Sequence, residues 1–81
     1  MTHSTFSKEA LSIRLTRAEA IILEEFLART EESRRSLFVD QSEQRVLWTV
    51  HIQLERALWE LNAPEYVEIL RLARDSVRDP Q

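Results

Sequence analysis

The chain has no cysteine and no glycine, two prolines, and a single lysine among its eleven basic residues. Without cysteine there can be no disulfide, no thiolate nucleophile and no Cys-ligated zinc or iron–sulfur centre. Without glycine there is no phosphate-cradling loop of the P-loop or dinucleotide kind, because those loops need backbone that approaches the ligand closely. A basic excess is also missing. The net charge is −3 and the pI about 5.3, which argues against nucleic acid and against an anionic membrane surface as partners. No run approaches the roughly 18 apolar residues of a membrane span. The start, Met1 to Lys8, is polar rather than the apolar region of a signal peptide, so the expected location is cytoplasmic.

What is present is enough to fold. Apolar residues make up 43% and charged residues 31% of the 81 positions, too hydrophobic a mixture for a disordered chain. The length suits one domain, 1–81, with 1–8 and 78–81 expected as flexible ends, and a domain of this size buries only about 60–65% of its unfolded surface. Ten of the eleven basic residues are arginine. Bidentate pairing with carboxylates would use them, and a codon bias in the source genome explains them more simply.

The periodicity predicts an α+β, mostly helical domain in the order β-α-β-α-α, with two short strands and three helices. Ala10 to Leu15 alternates, Leu11, Ile13 and Leu15 on one side and Ser12 and Arg14 on the other, the pattern of a half-buried strand. Thr16 and Glu19 form a capping box that opens a first helix over about 17–31. Its expected core face is Ala20, Ile22, Leu23, Phe26 and Leu27, with Arg17, Glu24 and Glu31 turned to solvent and Glu25 paired with Arg29. Leu37-Phe38-Val39 is the second strand candidate. Asp40 and Glu43 form a second capping box, and the helical pattern then continues to Leu61. Asn62 is expected to replace glycine at the end of this helix, with Pro64 opening a third helix that runs to Val77. Two short strands do not make a stable sheet alone, so helices or another chain would have to cover them.

The second helix carries the functional expectation. Leu47, Val50, Leu54, Ala57, Leu58 and Leu61 form its core face, and Trp48, Ile52 and Trp59 a second apolar patch bordered by Arg45 and Arg56. Packing against a neighbouring helix accounts for that patch slightly better than a partner does, yet Trp and Arg together are the residues that dominate protein interfaces. His51 and Glu55, four residues apart, have the spacing to share a metal or a proton. The only other imidazole, His3, is in the N-terminal lead, so a histidine satisfied within its helix is the simpler expectation. Neither a metal nor a cofactor is therefore expected. No Gly-flanked serine elbow or patterned carboxylate pair indicates catalysis, and the chain is read as a non-enzyme.

The third helix divides into a core face (Tyr66, Ile69, Leu70, Ala73, Val77), a basic stripe (Arg71, Arg74, Arg78) and an acidic one (Glu65, Glu68, Asp75, Asp79). A solvated face of pairs such as Glu68 with Arg71 and Arg71 with Asp75 is the simpler reading. The other is a surface that docks a basic protein. The short turn before this helix suggests a helix-turn-helix, but its carboxylates are wrong for a DNA-reading element.

The run from Leu15 to Arg29, then Glu43-Gln44-Arg45-Val46-Leu47-Trp48 and Leu54-Glu55, resembles a group of small bacterial proteins of unassigned function over about two thirds of the chain. In size, acidity and lack of catalytic motifs the chain is also similar to immunity proteins that neutralise toxins. That resemblance implies a toxin as the partner; the apolar patch and the acidic stripe place the expected contact at Arg45, Trp48, Ile52, Arg56, Trp59, Glu65, Glu68 and Asp75. The alternative is a homodimer of no enzymatic activity. A small metal-assisted enzyme using His51 and Glu55 is the remote one.

Overall fold

The computed structural model describes residues 6–78. Of the ends expected to be flexible, 1–8 and 78–81, positions 1–5 and 79–81 lie outside the described residues.

Among the described residues the chain is entirely helical, which overturns the expected β-α-β-α-α order and its two strands. Four α-helices, α1 (Arg17–Arg29), α2 (Glu31–Arg34), α3 (Gln41–Ala57) and α4 (Tyr66–Arg78), are joined by 3₁₀ turns at Arg35–Leu37 and Trp59–Asn62. The strand at Leu11–Leu15 does not form because an alternating segment becomes a strand only against a hydrogen-bonded neighbour. Leu11 and Ile13 are instead 93% and 85% exposed. The second candidate fails because Leu37 completes a 3₁₀ turn.

The capping box that opens α1 forms as its sequence dictates. Glu19 N–H donates to Thr16 Oγ1 at 3.1 Å, and Thr16 N–H donates to Glu19 Oε1 at 2.8 Å. The helix stops at Arg29, two residues short of expectation, where Thr30 leaves helical geometry at φ −103°, ψ 10° while its hydroxyl and N–H still bond to the Phe26 carbonyl. Arg34 then folds back onto the Leu27 carbonyl and the Thr30 hydroxyl, holding the short α2 against the end of α1.

The second capping box does not form. Glu43 reaches past Asp40 to accept from Val39 N–H at 2.9 Å, and the Asp40 carboxylate accepts from the Ser42 hydroxyl instead of capping the helix. Helix α3 is also shorter than predicted. Leu58 leaves helical geometry at φ −111°, ψ 95°, and the next residues wind more tightly as 3₁₀. Asn62 does not act as a left-handed cap, since no described residue has positive φ. Pro64 lies two residues ahead of α4 rather than within its first turn.

The core is small. Ala20 and Ile21 of α1, Leu58 from the break after α3, and Leu70 and Ala73 of α4 form one buried cluster, with Leu54, Leu61, Tyr66 and Ile69 packed around it. On α1 the buried face is Ala20, Ile21, Glu24 and Leu27, rotated from the predicted one. Phe26, expected inside, is 46% exposed. Leucine 58 sits in the core because the chain breaks there and turns it inward; the α3 residues before it supply no fully buried side chain. None of the described helices is long and apolar enough to cross a membrane.

Candidate functional site

Helix α1 sets Glu24 on its buried face, one turn from both Ala20 and Leu27, and α3 crosses that face with His51. Glu24 is 4% exposed. One of its carboxylate oxygens lies 2.7 Å from His51 Nδ1, and the other ring nitrogen lies 3.4 Å from a Glu55 oxygen. The imidazole therefore stands between two carboxylates, one buried and one half-exposed. The second Glu24 oxygen is buried without any hydrogen-bond partner, an arrangement that leaves its desolvation uncompensated. Burial pushes the Glu24 carboxyl above the ordinary carboxylate range, against the lowering effect of the His51 bond.

The Trp48 ring lies 5.3 Å from that of His51. Together with Leu27, Glu31, Arg34, Gln44 and Leu47 they line a small cavity of about 40 Å³, room for a water or two. One atom of each of Glu24, His51 and Glu55 lies within 4.8 Å of the others. Sequence spacing pairs His51 with Glu55 but misses Glu24, which the helical wheel turned to solvent. The signal for it was its position one turn from Ala20 and Leu27.

Two further polar contacts hold the helices together. Arg17, also expected in solvent, grips Glu60 with two hydrogen bonds of 2.7 and 2.8 Å and reaches the Ala57 carbonyl. The Arg17 bond holds the Glu60 carboxyl below the usual range. The Tyr66 hydroxyl donates to Glu25 at 2.8 Å, and burial together with that carboxylate pushes the phenol up to about 12. Glu25 thus turns to Tyr66, while Arg29, its expected partner, lies over the Phe26 ring.

The predicted binding residues do not form one patch. Trp48 is 57% exposed on α3 and Trp59 is 67% exposed, but Trp59 belongs to the 3₁₀ turn beyond the break at Leu58, so the helical phase linking them is lost. Ile52 is half-buried between them in sequence, and Arg45 and Arg56 are exposed. Glu65, just ahead of α4, is exposed, whereas on α4 Glu68 and Asp75 are tied within the helix to Arg71, and Asp75 also to Arg78.

Uncovered apolar surface also lies elsewhere. The first six residues of α3 are exposed on every side, and beside them runs an open, mainly apolar groove of about 440 Å³. Leu37, Phe38, Val46 and Leu47 line it, with Arg34 and Glu43 at its edges. No known protein family, curated protein or solved structure matches this chain.

Proposed function

We propose that this protein is a non-catalytic assembly module that works as a homodimer, the second copy covering the groove at the start of α3. The observation that carries the reading is the uncovered apolar groove lined by Leu37, Phe38, Val46 and Leu47, with Leu37 and Val46 exposed to solvent, a surface that association would remove from water.

A second copy suits the groove because its lining carries both signs, Arg34 and Glu43, as a surface that meets its own copy does. On α4 Glu68 and Asp75 are paired with Arg71 and Arg78, which leaves less free negative charge there to attract a basic partner. A cytoplasmic location is part of the proposal.

Light scattering across a concentration series tests the reading. A mass of twice 9.6 kDa is expected, reduced to that of the monomer by Val46→Asp or Leu37→Asp with helicity unchanged. A chain that stays monomeric at millimolar concentration, or a dimer indifferent to both substitutions, would overturn it.

A further inference from the structure

We propose that Glu24, His51 and Glu55 hold a divalent transition-metal ion of the zinc class, clamping α1 to α3. The three side chains come from two helices, and one ligand atom from each already lies within 4.8 Å of the others. Tetrahedral coordination at zinc distances needs neighbouring ligand atoms about 3.4 Å apart; the two carboxylates face different ring nitrogens, so closing the site takes side-chain rotations that bring both to the same nitrogen. One imidazole with two carboxylates favours zinc or a neighbouring transition ion over calcium or magnesium, which prefer oxygen alone. Water fills the remaining position.

A second observation points to a cation independently of the spacing. Glu24 is 4% exposed and carries an oxygen with no partner. A buried carboxylate with an idle oxygen beside an imidazole is half of a ligand set. A bound cation would satisfy that oxygen, offset the desolvation of the carboxylate and supply a reason for placing an acid on the packed face of α1. Coordination requires the carboxylates ionised and the ring neutral at the bound nitrogen, so binding releases protons. The site does not depend on self-association.

Zinc chloride and cobalt chloride, titrated into the full chain by calorimetry, test the proposal. The expected result is one ion per chain, with proton release seen as a buffer-dependent heat. Trp48, next to His51, should report binding by fluorescence in a Trp59→Phe background. Glu24→Gln and His51→Asn should each weaken binding more than about 100-fold, beyond the loss that an outer-shell partner causes, while His3→Ala and Glu32→Gln leave it unchanged. Should Glu24→Gln fail to fold, the visible spectrum of cobalt on the wild-type chain decides: an intense low-symmetry band supports the site. No saturation up to millimolar zinc, a cobalt spectrum identical to that of the hydrated ion, or full binding by a folded Glu24→Gln chain would overturn it.

Discussion

Leu58 and Trp59 are adjacent in sequence and opposite in environment, 2% and 67% exposed. Leu58→Ala should cost about 2–5 kcal/mol in urea unfolding, since it empties the centre of a thin core. Trp59→Ala should change monomer stability by no more than about 0.5 kcal/mol, as an exposed side chain away from the packing does. The ion pair between Arg17 and Glu60 has a defined pH signature. The Glu60 carboxyl is lowered in the folded chain, so its contribution is present above the unfolded carboxylate pKa of about 4.3 and disappears as pH falls through the folded value. Glu60→Gln should therefore destabilise by about 1 kcal/mol at pH 7, discounted for the half-exposed arginine, and show little difference from wild type near pH 2. Denaturant midpoints at the two pH values check both parts.

At the scale of the element, the two capping boxes written in the sequence have different fates, and substitution should separate them. Thr16→Ala removes a formed cap from α1 and should cost about 1 kcal/mol. Asp40→Ala should cost less, because Asp40 accepts from Ser42 and leaves the first amides of α3 uncapped. Thermal unfolding of the two variants beside wild type tests the order. The contrast shows why helix starts are only partly legible: both sites contain the right residues three apart, but Val39 N–H competes for Glu43 at the second. The alternating pattern of Leu11, Ile13 and Leu15 is equally clear, and a period-two pattern without a neighbouring strand has nothing to hydrogen-bond to.

For the whole molecule, the small core would make stability and association one problem in the proposed dimer. A chain whose folded form is completed by a second copy has a melting temperature that rises with concentration. Differential scanning calorimetry over a 100-fold dilution series should show that rise in wild type and lose it in Val46→Asp. A melting temperature that does not move with concentration would separate folding from assembly.

The amino-acid sequence determined what is local: the three long helical stretches, the Thr16–Glu19 cap, the Glu68–Arg71–Asp75 pairing on α4 and the His51–Glu55 spacing all follow from contacts within a few residues. It also removed thiol and glycine-loop chemistry, because those need atoms the chain does not contain. Tertiary structure alone decided which face of each helix is inside. Glu24 and Arg17 belong to a face that hydrophobicity assigns to solvent, and only the arrival of His51 and Glu60 from distant positions gives their charges partners. The break at Leu58 is of the same kind. An unbroken helix would have carried Trp59 into phase with Trp48; packing Leu58 against Ile21 and Leu70 turned the chain instead, and divided the expected tryptophan patch in two.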